Sequence, residues 1–303
     1  MFNISSNVVL NGTSGNDEIE SRDSSNVTIL AGDGTDSVKN HSNGATINTD
    51  AGKDSIENYG DNVLIDAGAD DDVILNFVGF KVSIKGGEGN DFIHNGYYGT
   101  DVTLDAGKVD DTIANESNSN LIIYRAGDGN DVIQGFKANS TLSIAGGVPA
   151  ETNKSGDDVI VTVGDEKITL KGAAKLFRLN IVETPVNIHN SDKNKAVTAT
   201  NANDTIINTG EKAAINALRG DDSINNNAAE VLINAGDVFD KISNIGKDVT
   251  ILSDNGDDTI YSNAANDEIH GSAGTDSIFN HGKKGSIAGD AGDDTIENYN
   301  NSN

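Results

Sequence analysis

Thirteen aspartates, each followed two residues later by Ile or Val, recur along the chain at almost constant spacing. They are Asp17, Asp36, Asp54, Asp72, Asp91, Asp111 and Asp131, then Asp204, Asp222, Asp240, Asp258, Asp276 and Asp294. The gaps are 19, 18, 18, 19, 20 and 20 residues in the first run and 18 throughout the second. A fixed period of this length is the mark of a solenoid, in which each repeat is one coil stacked on the last. Stacking returns the same carboxylate to the same edge at the strand separation of about 4.8 Å. Such a column of like charges is repulsive unless a cation bridges it. The chemistry on offer is therefore cation binding.

The elements that position these aspartates follow from the apolar residues around them. One aliphatic lies seven residues before the Asp (Ile29, Ile47, Ile65, Ile84, Leu104, Ile215, Ile233, Ile251, Ile287) and one lies two residues after it. The two are nine apart, so each coil divides into two nine-residue halves, each a short strand and a tight turn. A further aliphatic nine before the Asp (Val27, Val63, Val82, Val102, Val231, Val249) supplies the inward alternation of a strand. Strands this short need the coils above and below to pair their backbones.

The two turns differ. The one that enters the Asp is rich in glycine and acid, as in Ala31-Gly32-Asp33-Gly34-Thr35-Asp36. Glycine is expected there because the chain reverses within a few residues at positive φ. The opposite turn carries Asn four residues after the Asp: Asn40, Asn58, Asn76, Asn95, Asn115, Asn208, Asn226, Asn244, Asn280 and Asn298. Period-two alternation points these inward, which predicts an asparagine ladder whose amides pair the buried turn backbone. The rival reading is a row of solvent-exposed turn residues. Tyr59, Tyr97, Tyr98 and Tyr299 fall on these turns, where the extra residues of the longer coils are also expected.

Gly86-Gly87-Glu88-Gly89-Asn90-Asp91-Phe92-Ile93 resembles, in full, the nonapeptide Gly-Gly-x-Gly-x-Asp-x-(aliphatic)-x of the RTX, or haemolysin-type calcium-binding, repeat family. Residues 31–38 and 126–133 match it with one Ala for Gly, and the resemblance covers most of 10–136 and 199–298. It implies a parallel β-roll with Ca2+ held between stacked turns by carbonyls and carboxylates. Calcium takes six to eight hard oxygens in flexible geometry, which such turns can offer. The implied ligands are Asp36, Asp54, Asp72, Asp91, Asp111, Asp131, Asp222, Asp258, Asp276 and Asp294, with the turn backbone at Gly32, Gly34, Gly86, Gly87, Gly89, Gly127 and Gly129. The chain departs from the family in having acid on one edge only. Asp70, Val109 and Val238 replace the fourth-position glycine, and Thr49-Asp50, Ala217-Leu218 and Ser253-Asp254 replace the leading glycines. Partial occupancy is expected, best where Asp72, Asp91 and Asp111 adjoin and where Asp258, Asp276 and Asp294 adjoin. The bland alternative is that each Asp caps its own turn by accepting backbone N–H groups.

Between Ser140 and Thr198 the period fails. Longer strands are predicted at 141–144, 159–163, 167–170 and 179–182, with Gly164-Asp165-Glu166 turning a hairpin between the middle two. The run from Asp158 to Gly172 resembles the capping segment that follows such repeats, and a solenoid end needs a cap for its open edges. Pro185 and the polar stretch 190–195 read as a linker. The predicted architecture is all-β: a parallel β-roll of 18-residue coils over 1–139, a β-rich cap over 140–188, and a linker with a second roll over 189–303.

Composition agrees. The chain has 303 residues, 48 acidic against 21 basic, a net charge of −27, no cysteine and no tryptophan. That charge argues against nucleic acid and anionic membranes and suits a cation binder. The sequence excludes disulfides and thiolate metal sites, and it holds no 18-residue apolar run. Residues 1–20 show no signal peptide, and the end at Glu297-Asn298-Tyr299-Asn300 stops in mid-coil, as in a fragment. The five histidines are scattered and no Gly-x-Ser-x-Gly elbow occurs, so no enzyme activity is expected within these residues. The expected role is an extracellular or cell-surface calcium-binding module. The alternatives are an adhesin-like region whose Asn/Tyr edge binds a glycan or surface protein, and a repeat fragment of a secreted RTX enzyme.

Overall fold

The computed structural model describes residues 1–299; Asn300 lies outside them. Two compact units are formed, Met1–Gly146 with Ala150–Val182, and Gly147–Pro149 with Glu183–Asn303 as far as it is described. Each is a parallel β-solenoid in which successive strands alternate between two sheets. The first unit has an 11-stranded and a 9-stranded sheet, the second a 7-stranded and a 6-stranded one. Among the described residues helix is confined to a single 3-10 turn, Ala173–Lys175.

Each coil carries two short strands separated by turns, and the register follows the sequence period. Ile56 pairs with Ile74, Ile74 with Ile93, and Ile224 with Ile242. The aliphatics two after and seven before each Asp are buried in nearly every coil and stack on their own kind, which makes a thin core from one or two side chains per strand. That arrangement explains how a chain with only 35% hydrophobic residues builds a core at all.

The asparagine ladder is present. Asn58 shows it whole: its Nδ2 donates to the Gly60 carbonyl (2.9 Å) and to Asn76 Oδ1 (2.8 Å). Its Oδ1 accepts from the Gly60 N–H (3.2 Å) and from Asn40 Nδ2 (2.9 Å). The amide is used completely, with both donors and both lone pairs engaged and no solvent contact. Asn190, expected within a linker, is instead a rung: strand Asn187–Asn190 pairs with Thr205–Asn208 and Asn190 Nδ2 reaches Asn208 Oδ1 at 2.7 Å. The cue was available, since Asn190 lies 18 residues before Asn208.

Two other expectations are corrected. The missing fourth-position glycines change nothing in the turn path: Asp70, Val109 and Val238 hold φ of 77°, 80° and 95°, in the same positive range as Gly89 at 129°. Coil stacking imposes the conformation, and a β-branched residue there is strained. The extra residues of the long coils do not all fall on the Asn edge. Leu104 pairs with Ile122, 18 residues on, but Ile113 pairs with Ile133, 20 on, so the coil from Asp111 to Asp131 gains its two residues in the acidic turn.

In the non-repetitive segment, strands Asp158–Val163 and Glu166–Lys171 form the predicted hairpin, and the latter pairs in parallel with Val132–Gln134. A strand that the sequence did not reveal, Ala150–Ser155, adds antiparallel to Asp158–Val163. It is polar and almost wholly exposed, so no apolar alternation announces it.

Asn58→Ala leaves the Gly60 backbone and two neighbouring amides short of partners, and should cost about 3 kcal/mol in denaturant unfolding. A loss under about 1 kcal/mol would mean the ladder is ornamental. Val238→Gly relieves a strained φ and should raise stability by about 1 kcal/mol, net of the flexibility that glycine adds to the unfolded chain.

Candidate cation-binding edge

The Gly-rich turns place each repeat Asp at the base of a strand, with its side chain turned into the coil. Asp36, Asp54, Asp72, Asp91, Asp111, Asp131, Asp222, Asp240, Asp258 and Asp276 are all buried. One oxygen of each has the same job in every coil. Oδ1 accepts the backbone N–H of the Asp in the preceding coil: Asp36 from Asp17 (2.7 Å), Asp72 from Asp54 (2.8 Å), Asp91 from Asp72 (2.8 Å), Asp240 from Asp222 (2.9 Å) and Asp276 from Asp258 (2.9 Å). So the caps run between coils, where a local capping reading had placed them within one turn.

The other oxygen is the anomaly. Oδ2 of Asp36, Asp54, Asp72, Asp91, Asp111, Asp222, Asp240, Asp258 and Asp276 is buried with no hydrogen-bond partner. An unsatisfied buried carboxylate oxygen is costly, and here the cost recurs coil after coil. The first full coil of each unit escapes it. Thr13 and Thr200 occupy the second turn position, and their N–H groups reach Oδ2 of Asp17 (2.6 Å) and Asp204 (2.7 Å), supported by their hydroxyls.

Burial drives these carboxyls upward in pKa, the accepted backbone N–H opposes it, and neighbouring aspartates in the column mostly add to the rise. Asp54, Asp91 and Asp258 are pushed up to about 6, Asp72, Asp131 and Asp222 to about 7, and Asp111 and Asp240 to about 8. Asp36 and Asp276 are raised as well. Asp294, in the last described coil, is only half-buried.

The turn backbone completes the donor set. At the second and fourth turn positions a glycine Cα mostly lies close to a carbonyl of the coil before, Gly127 being an exception: a Cβ on Gly87 would fall 1.9 Å from the Gly68 oxygen, and one on Gly274 1.8 Å from that of Gly256. Successive turns are therefore stacked carbonyl against backbone. Among the described residues no three carboxylate or imidazole groups converge on one point. A cation here would take one carboxylate oxygen per coil and draw its remaining ligands from carbonyls. Calcium tolerates such a mixed oxygen set. Asp240, absent from the sequence-derived ligand set, matches its neighbours in burial, in the N–H its Oδ1 accepts, in its unpaired Oδ2 and in its raised pKa.

On the opposite edge, Asp267 stands in the amide ladder. Its oxygens accept from Asn244 Nδ2 (2.8 Å), the Val249 N–H (3.1 Å) and the Ser262 hydroxyl. The aromatic residues of that flank stack on one another: His41 on Tyr59 (4.6 Å), Tyr59 near Phe77 (5.0 Å) and His281 on Tyr299 (4.4 Å). These ring faces are spent on neighbouring coils, while Tyr97 and Tyr98 pack edge to face on each other and are more exposed than the stacked rings.

A model of the RTX calcium-binding nonapeptide repeat matches four copies in the chain, at residues 82–96, 123–139 and 250–280. The matched segments contain the turns of Asp91, Asp131, Asp258 and Asp276. No curated protein matches the chain.

The raised carboxyls set a sign for pH dependence without metal. A folded pKa above the ordinary 3.8 gives stability that is complete below about pH 4 and is lost as pH climbs through about 6 to 8. In excess chelator, the melting temperature should fall steadily between about pH 5 and pH 8. A flat or rising profile across that window would show the column is compensated some other way.

Proposed function

We propose that this protein is an extracellular calcium-stabilised solenoid whose acidic edge holds calcium ions between stacked turns. The supporting observation is the run of nine buried carboxylate oxygens that nothing else satisfies. The residues that would hold the ions are Asp36, Asp54, Asp72, Asp91, Asp111, Asp222, Asp240, Asp258 and Asp276. Carbonyls of the adjoining turns, among them those at Gly32, Gly34, Gly86, Gly87 and Gly89, would supply further ligands. Asp294 would join where another coil covers it. Bound calcium supplies fixed positive charge between carboxylates that otherwise repel one another.

Each unpaired oxygen is sealed from solvent. A cation therefore reaches it as the coils come together, and binding is coupled to folding. A protein with a net charge of −27 gains most from this where calcium is abundant and ordered structure is needed only after export. That supports an extracellular or surface role for the solenoid as a stalk or spacer. The motif content argues against catalysis within these residues, since the carboxylates are explained by the period and form no convergent site. A glycan-binding Asn/Tyr edge has no comparable support, because most of its rings are stacked edge-outward.

Calcium added to chelated protein at millimolar level should raise the β signal in circular dichroism and the melting temperature, and magnesium should not substitute. No response to calcium sinks the proposal. Asp91→Asn separates metal binding from capping, since the amide keeps an oxygen for the Asp72 N–H while removing the charge. The variant should melt no lower than the wild type in chelator at about pH 8, yet gain less on adding calcium. An equal gain would clear Asp91 of a ligand role.

A further inference from the structure

One acidic turn is built unlike the rest. The coil between Asp111 and Asp131 carries its two additional residues here, so Ile122 takes the place of Leu104 and Tyr124, although seven before the Asp, lies two residues further on, at the start of the turn. Tyr124 is buried, and its hydroxyl lies 2.8 Å from the Gly129 carbonyl and 2.7 Å from Glu166 Oε2. Glu166 comes from the hairpin, at the start of strand Glu166–Lys171. The same Oε2 accepts the Gly127 N–H at 2.8 Å. Two more bonds seat the strand on the turn: the Lys167 N–H donates to Asn130 Oδ1 (3.1 Å) and the Thr169 N–H to the Asp131 carbonyl (2.8 Å). Asp131 is not among the nine aspartates with an unpaired Oδ2.

We propose that this turn is a socket for the hairpin, in which the Tyr124 hydroxyl and the Glu166 carboxylate occupy the place that a cation takes in the other turns. The phenol proton sits between two oxygens that a metal would otherwise draw together, the Gly129 carbonyl and the Glu166 carboxylate. The hairpin carboxylate satisfies the turn N–H at Gly127. Both are protein groups, so the end of the first unit closes without metal. The Gly-rich residues 126–131 keep the repeat's sequence and have changed partner, from ion to strand. This rests on the calcium reading of the other turns and assigns Gly127, Gly129 and Asp131 a different role within it.

The test is hydrogen exchange on the full-length protein with calcium and with chelator, alongside calcium counting by equilibrium dialysis. Amides of strands Asp158–Val163 and Glu166–Lys171 should keep their protection in chelator, while those of the Asp72, Asp91 and Asp240 turns lose theirs. Tyr124→Phe and Glu166→Ala should each speed exchange in the hairpin about tenfold or more with no change in the number of calcium ions bound. Glu166→Gln, which retains an acceptor oxygen, should restore most of the protection. Loss of one bound calcium in Glu166→Ala would make Glu166 a ligand and overturn the proposal, as would hairpin exchange indifferent to both variants. A wild-type protein whose Asp72, Asp91 and Asp240 turns ignore the chelator would instead defeat the calcium reading itself, and the effect of the variants on the hairpin would still report on the socket.

Discussion

Everything in this solenoid depends on satisfying a buried polar edge from one coil to the next. A thin coil has no interior deep enough to hide its turns from its core, so turn N–H and carbonyl groups end up beside aliphatic side chains. The chain meets this with two ladders of the same polarity. On one edge an Asp N–H donates to the carboxylate of the following coil, and on the other an Asn amide donates to the amide oxygen of the following coil. The difference between the ladders is chemical. An amide brings donors and acceptors in equal number and closes its own account, while a carboxylate brings only acceptors and leaves one over.

That surplus oxygen gives the two edges different properties. The Asn rungs are complete as they stand and carry no titratable group. The acidic edge has a deficit of positive charge or protons, which is why its carboxyls are pushed towards neutrality. Where the sequence supplies a donor, the deficit disappears: Thr13 and Thr200 do so at Asp17 and Asp204. Asp267 makes the same point in reverse, since a carboxylate is tolerated in the amide ladder because its three partners are all donors. Ion pairs between neighbouring coils, such as Lys85 with Asp66 and Arg125 with Asp105, lie on the surface and add register more than stability.

Much of this was legible in the order of residues. Position in an 18-residue period located the inward Ile and Val, the inward Asn and the repeat Asp, because stacking in register makes sequence phase equivalent to spatial phase. Three features escaped. Strand Ala150–Ser155 exists only by pairing with its neighbour and leaves no apolar signature. Glycine at the fourth turn position seemed necessary, yet Val109 and Val238 take the same path because the stacked coils enforce it. Asn190 was hidden by its polar surroundings, which resemble a linker until the strand before it is paired.

The sequence by itself determined the coil length, the alternation of the two edges and the residue types that line each, because a repeat repeats its environment. It could not say which oxygen of each aspartate is used. That was decided by the distance and direction to the coil alongside, where a single N–H reaches Oδ1 and, at nine of the aspartates, nothing reaches Oδ2. Nor could it name the partner of the turn before Asp131: the motif persists there with one Ala for Gly, and only the folded hairpin brings Glu166, 42 residues from Tyr124 in the chain, within 2.7 Å of its hydroxyl. Contacts between coils obey the period, and contacts with a non-repeating segment do not.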